Sequence, residues 1–307
     1  PALHWLLPAG GAALLFLLIS KFGMTQFGGF DSSVIVNTGH RLATGQRAYK
    51  DFVLTTPPLF YLGAKWAFKL LGVRWSSLIT FTGLFAAGAF LLQYWMLVRL
   101  SLARLQAVLL AFTVEVFALM VASYWWYNGV SCAVACLFLT AAFLVVWKPE
   151  TKRHWIAYSG ALSFLLLAKP NYAAPLVLGT SLALLALPTL RRRVILFSGV
   201  AVATSGLCLL AQKIDPRQVL QSYLMVSKRG LPSLERLFFS HHEDIVRLEF
   251  YLMIAALIPL LVGSWMTLRA RASTSTLRIM ILITWLGALT GAIACLTNGE
   301  LKHTELP

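Results

Sequence analysis

The stretch Trp155–Leu190 reads WIAYSGALSFLLLAKPNYAAPLVLGTSLALLALPTL, with Lys152-Arg153 just before it and Arg191-Arg192-Arg193 just after. As one α-helix its 36 residues would run about 54 Å, against about 30 Å of bilayer hydrocarbon. Basic residues flanking a membrane segment mark its cytoplasmic side, and here they stand at both ends. The segment must therefore go out and come back, as two short helices meeting at Lys169-Pro170-Asn171 near its middle.

The rest of the chain agrees with a membrane reading. Of 307 residues, 59% are hydrophobic and 12% charged, where a soluble domain carries roughly 25% charged residues. Mean hydropathy is +0.76. This composition excludes a soluble enzyme, a disordered tail and a disulfide-stapled secreted domain. The net charge of +15 does not make a nucleic-acid binder, because the cations sit in short clusters between apolar runs. Cys132, Cys136, Cys208 and Cys295 all lie inside such runs and read as small core residues.

Further runs long enough to span lie at Ala2–Ser20, Trp75–Val98, Leu105–Ala122, Gly129–Trp147, Val194–Ala211, Phe250–Leu268 and Ile279–Leu296. With the two halves of the opening stretch they make nine. The loops Arg99–Arg104, Lys148–Arg153, Arg191–Arg193 and Arg269–Arg278 carry 11 basic residues; Ser123–Asn128 and Lys169–Asn171 carry one. That asymmetry predicts a cytoplasmic N-terminus and turns the long segments Lys21–Arg74 and Gln212–Glu249 outward. The expectation is one all-α polytopic membrane domain over residues 1–307, cut short at its C-terminal end, with a long outer loop of interfacial helices after the first span.

The first outer segment contains Gly28-Gly29-Phe30-Asp31-Ser32-Ser33, a helix-like run to Leu42, then Gly45-Gln46-Arg47-Ala48-Tyr49-Lys50-Asp51-Phe52 and Pro57-Pro58-Leu59-Phe60-Tyr61. The glycines make a turn that puts Asp31 at or near a helix N-cap. Pro57-Pro58 opens a second helix, Leu59–Leu71, too short and too basic (Lys65, Lys69) to span, which suits the interface.

This pattern resembles the first outer loop of GT-C-type integral-membrane glycosyltransferases, the superfamily of protein O-mannosyltransferases and aminoarabinose transferases. The likeness is closest from Phe30 to about Gly72 and extends through Lys169-Pro170-Asn171. Many members carry an acidic pair or a glutamate where this chain has Asp31 followed by Ser32-Ser33. The resemblance implies a polyprenyl-phosphate sugar donor, a lipid, glycan or protein acceptor, no cofactor, no resident metal, and a place in the bacterial inner membrane with the active site on the outer face. It also implies that Asp31 is the catalytic base.

Such transfer needs a base for the acceptor proton and cations or dipoles for the departing phosphate. His40, Arg41, Lys50 and Lys169 are candidates on the same side of the membrane, with Asn171 beside Lys169. Lys169 either meets the phosphate from below the outer surface or snorkels to lipid headgroups. Asp51 either orients an acceptor or sugar hydroxyl or pairs locally with Arg47 or Lys50. Lys302, in the polar stretch Asn298–His303 after the last span, joins the donor/acceptor candidates.

Other features read more plainly. Glu115 lies in the third span, past mid-depth towards the outer side, where an acid is costly. Tyr124-Trp125-Trp126-Tyr127 is expected to be an interfacial aromatic belt. His241-His242-Glu243-Asp244 holds metal-ligand types, but adjacent residues do not converge on one ion. The alternatives to a glycosyltransferase are a transporter or lipid flippase, which also break helices at midplane, and an inactive assembly subunit.

Overall fold

A computed structural model of the chain describes residues 3–26, 29–54, 56–119, 123–125, 127–168 and 170–228. Within them the protein is helical throughout, with a lone bridge between Ala48 and Phe52 in place of any sheet. The helices are α1 (Leu3–Gly23), α2 (Gly29–Ala43), α3 (Pro58–Leu71), α4 (Trp75–Arg99), α5 (Arg104–Leu119), α6 (Tyr127–Trp147), α7 (Lys152–Leu167), α8 (Pro170–Leu185), α9 (Arg191–Ala211) and α10 (Pro216–Lys228). Of these, α1, α4, α6 and α9 contain stretches long and apolar enough to cross a membrane. Helices α5, α7 and α8 have 16 residues each, about 24 Å. The spans expected at Phe250–Leu268 and Ile279–Leu296 lie outside the described residues.

The break expected at Lys169-Pro170 is present. Helix α7 stops at Leu167, Ala168 is extended (φ −84°, ψ −169°), and α8 starts on Pro170. Proline is well placed there because the first helical position needs no amide donor. The return trip is visible in the packing. Ser159 Oγ donates to the Phe197 carbonyl (3.0 Å), Ser163 Oγ to that of Ala201 (3.2 Å), and Ser205 Oγ back to that of Ser163 (3.1 Å). Residue numbers rise together along this ladder, so α7 and α9 run parallel, which requires α8 to run back between their ends. Interhelical bonds of this kind contribute about 0.6 kcal/mol each in a membrane protein.

Small residues set the other contacts, as expected where lipid removes the hydrophobic drive between helices. The Phe90 ring of α4 lies on Gly11 of α1, and the Phe16 ring of α1 lies on Gly83 of α4. Either glycine replaced by a larger residue would meet an aromatic ring below 3 Å. Helix α6 is the centre. It packs on α4, α5, α7 and α8, with Ala133, Phe138, Ala141, Ala142, Leu144 and Val145 fully buried. Gln93 Nε2 of α4 donates to Thr140 Oγ1 of α6 across this buried contact (2.7 Å). Outward, α9 exposes Ile195, Leu196, Val202 and Leu207 while burying Ser205. Aliphatic side chains outside and hydroxyls inside is the pattern of a helix facing lipid.

The bundle has two distinct ends. At one, the Trp95 ring meets His154 (6.3 Å between centroids), and the Pro149 carbonyl accepts from Trp155 Nε1 (2.7 Å) and from the Arg193 guanidinium. Arg99, Lys148–Arg153 and Arg191–Arg193 thus share the basic end. At the other, Trp75 Nε1 donates to the Gly23 carbonyl (3.2 Å), and Gln26 Oε1 accepts the Ser123 amide (2.9 Å).

Candidate functional site

The segment between α1 and α4 folds onto the end opposite the basic loops. Helices α2 and α3 pack as a hairpin, with Gly39 so close to Ala64 that a Cβ would lie 2.4 Å from the alanine methyl. Helix α3 is held to the bundle by Trp125, whose Nε1 donates to the Phe60 carbonyl (2.9 Å). The same indole meets Phe81 and Phe85 edge-on at 5.0 and 5.2 Å and presses on Gly63. Tyr124 and Trp125 are 9% and 3% exposed, which corrects the expected lipid-facing belt: these two side chains pack inside the protein. Trp126 lies outside the described residues.

The loop after α2 uses two of the candidate residues for its own structure. Arg41 Nε donates to Gln46 Oε1 (2.6 Å), its Nη2 donates to the Asp51 carbonyl (3.4 Å), and its guanidinium lies 4.4 Å over the Phe52 ring. The Asp51 carboxylate accepts the Arg47 amide (2.6 Å) and the Asp51 amide donates to the Arg47 carbonyl (2.9 Å). This is the local structural role for Asp51, made through the Arg47 backbone. Lys50 is exposed in the same turn. Beside it Tyr49 adopts φ 63°, a left-handed conformation that costs a non-glycine residue about 1–2 kcal/mol.

Three tyrosines link this loop to the helix break. Tyr49 Oη and Ser222 Oγ of α10 share a hydrogen bond (3.2 Å). Tyr223 Oη reaches the carbonyl of Ala168, the residue before Lys169, at a long 3.5 Å. Tyr61 is fully buried and its hydroxyl has no partner among the described residues. Burial, and then proximity to Tyr49 and Tyr223, push the Tyr61 phenol far above its ordinary range; burial does the same to Tyr223. All remain neutral and act as hydrogen-bonding groups. Lys65 Nζ donates to Gln212 Oε1, tying α3 to the end of α9, and burial, then Lys69 and Lys213, lower its pKa. Helix α3, the loop, α10 and the α7–α8 break therefore meet in one region.

His40 falls elsewhere. With Ser33, Val36 and Asn37 it forms one face of α2, and this face lines a cavity of about 350 Å³ closed by Phe68, Val73, Arg74, Trp75 and Leu78. Arg74, absent from the sequence-based candidates, gives His40 a basic companion. No local signal marks it, since in the sequence it is only the residue before the span at Trp75 until the α2–α3 hairpin folds back beside it.

Asp31 is the third residue of α2, inside the first turn rather than at the cap. Its register position is that of Ile35, Thr38 and Leu42, all buried, about half a turn round the helix from the His40 cavity. Ten residues separate it from Arg41, about 15 Å along the axis. The structure thus places Arg41, Lys50 and Asp51 together at the far end of α2 from Asp31, with His40 on another face. Of Asp31 and Asn171, only the backbone is described; Lys169, Lys302 and His241–Asp244 lie outside the described residues.

Glu115 is fully buried and neither carboxylate oxygen has a partner among the described residues. Cys132, Cys136 and Cys208 are free thiols.

No protein-family model, curated protein or solved structure matches this chain. The class defined by its fold is that of an α-helical protein with, among the described residues, four helices suited to crossing a membrane. On the end opposite its basic loops it carries a docked helical hairpin and a tyrosine-lined junction.

Proposed function

We propose that the chain is a GT-C-like glycosyltransferase with nine spans. It would move a sugar from a polyprenyl-phosphate donor to an acceptor on the outer face of the bacterial inner membrane. The observation that supports this most is the meeting of the first outer segment with the α7–α8 break through α10, by way of Tyr49–Ser222 and Tyr223–Ala168. The two parts of the chain that carry the resemblance are far apart in sequence, and a shared site needs them together.

In this reading an acceptor hydroxyl oxygen attacks the anomeric carbon as the carbon–oxygen bond to phosphate breaks. The hydroxyl proton passes to the Asp31 carboxylate, and polyprenyl phosphate departs with the bonding pair. Late proton transfer suits a weak base such as a carboxylate. Lys169, Asn171, Lys50 and Lys302 would serve the donor or acceptor. His40 with Arg74 offers an anion two basic groups in one cavity. Arg41 and Asp51 would act by shaping the loop.

The test is transfer of radiolabelled sugar from polyprenyl-phosphate donors in proteoliposomes, using the full-length protein. Asp31→Asn keeps the shape of the side chain and lacks the basic oxygen. Turnover should drop on the order of 10²–10⁴ with unchanged thermal stability. Turnover within about threefold of wild type would mean that another group takes the proton, and no transfer by the wild-type protein would overturn the reading.

A further inference from the structure

The basic end of the bundle holds a second cavity, remote from the site above. Its volume is about 350 Å³, and its lining is Trp95, Arg99, Thr151, Lys152, Arg153 and His154. Three cations from two separate helices thus border one space, and among the described residues no acidic one lines it. Arg99 is placed over the Trp95 ring (5.8 Å), and the other side of the site is fixed by the Trp95–His154 ring contact. His154 is 2% exposed, with Nδ1 3.3 Å from the Lys148 carbonyl. Burial holds its imidazole below the usual range, and the Arg99 and Lys148 charges push the same way. The α7 start adds undercommitted backbone amides, because Thr151 makes no side-chain cap bond. Such amides favour an anion.

The surroundings say which kind of anion fits. Helices α4 and α7 both pack on α6 and hardly on each other, and the cavity lies where their basic ends approach. Along α7, Ile156 and Phe164 are 63% and 52% exposed, and with Gly160 they continue at four-residue steps from Lys152. A Cβ at Gly160 would meet nothing within 4 Å, so the stripe is indented there. Trp147, at the end of α6, is also half exposed. A cationic cavity with an exposed apolar stripe one turn beyond it matches an amphiphile with an anionic head, and basic cavities between spans on the cytoplasmic side bind such headgroups.

We infer that the Arg99–Lys152–Arg153 cavity binds the phosphate headgroup of an anionic phospholipid, whose acyl chain lies along Ile156, Gly160 and Phe164. The geometry is independent of sugar transfer; placing the site in the cytoplasmic leaflet rests on the positive-inside reading.

The test uses the full-length protein, delipidated in zwitterionic detergent and titrated by native mass spectrometry with phosphatidylglycerol or phosphatidylcholine of identical acyl chains. Phosphatidylglycerol should bind at least tenfold more tightly. Each cation near the headgroup is worth about fivefold. Arg99→Gln alone should therefore weaken phosphatidylglycerol binding about fivefold, and the triple variant Arg99→Gln/Lys152→Gln/Arg153→Gln on the order of a hundredfold. Phosphatidylcholine binding should not change. The charge-keeping variant Arg99→Lys/Lys152→Arg/Arg153→Lys should retain most of the preference, and Arg191→Gln/Arg192→Gln at the same end should leave it intact. Three results overturn the proposal: equal binding of the two lipids, an equal loss in the Arg191/Arg192 control, or displacement of the lipid by millimolar inorganic phosphate, which would assign the cavity to a soluble anion. If the triple variant does not fold, Arg99→Gln still decides, since its melting temperature is read alongside binding.

Discussion

Gly63→Ala tests whether α3 is docked as the structure has it. In an exposed helix the change should stabilise by about 1 kcal/mol, because alanine is the better helix former. Here the new methyl would lie 2.3, 2.5 and 2.7 Å from Cζ2, Cε2 and Nε1 of Trp125. The indole is rigid and has no free direction. It is bonded to the Phe60 carbonyl and faced by Phe81 and Phe85. Overpacking of such a site costs about 1–3 kcal/mol, and loss of the Phe60 bond adds about 1 kcal/mol. Against the helix gain, the net loss is about 1–3 kcal/mol, or a fall in Tm of several degrees at about 2–4 °C per kcal/mol. Two controls frame the measurement by thermal unfolding in detergent. Gly160→Ala, which meets nothing within 4 Å, should raise Tm slightly. Gly63→Ala/Trp125→Phe, with a smaller ring, should recover part of the loss relative to Trp125→Phe alone. If Gly63→Ala is as stable as Gly160→Ala, Trp125 does not clamp α3, and the placement of the whole outer hairpin is wrong.

Three further outcomes are expected. Asp51→Ala should loosen the Arg47–Asp51 turn by about 1 kcal/mol, seen as faster proteolysis within residues 44–57, while Asp51→Asn retains an acceptor oxygen for the Arg47 amide and is nearly silent; equal proteolysis of the two variants would remove the structural role. Single cysteines at Gln46 and Ser222 in a cysteine-free background should react with an impermeant thiol reagent from outside, and one at Thr151 only after the membrane is opened; the reverse pattern would turn the proposed site to the cytoplasm. Glu115→Met replaces two buried oxygens that have no partner among the described residues with apolar volume and should stabilise by about 1–3 kcal/mol; a clear loss of stability would show that the carboxylate has a partner in the folded protein.

Local chemistry in the sequence was enough to locate the long apolar helices, though not α10. Uncharged runs mark α1, α4, α6 and α9, and Pro57-Pro58 marks the start of α3, because solvation and proline geometry act within a few residues. The break between α7 and α8 was legible for the same reason. Cations on both sides of Trp155–Leu190 and a proline in its middle leave only a hairpin. The gathering of Arg99, Lys148–Arg153 and Arg191–Arg193 at one end also follows from alternating spans.

The folded chain decided which residues share a space, because those partners are remote in sequence. The Trp125 ring looked like an interfacial anchor until it met Phe60 and Gly63, whose approach depends on where the α2–α3 hairpin docks. Arg41 and Asp51 belong to loop closure because the chain turns back at Tyr49. His40 gained Arg74 because α2 and the start of α4 border one cavity. Periodicity puts Ser159, Ser163 and Ser205 on helices, but only the parallel packing of α7 and α9 makes them a ladder. Sequence determined where the chain enters and leaves apolar surroundings, a matter of transfer free energy residue by residue; tertiary structure decided the pairs, since a contact between distant residues depends on the path of everything between them.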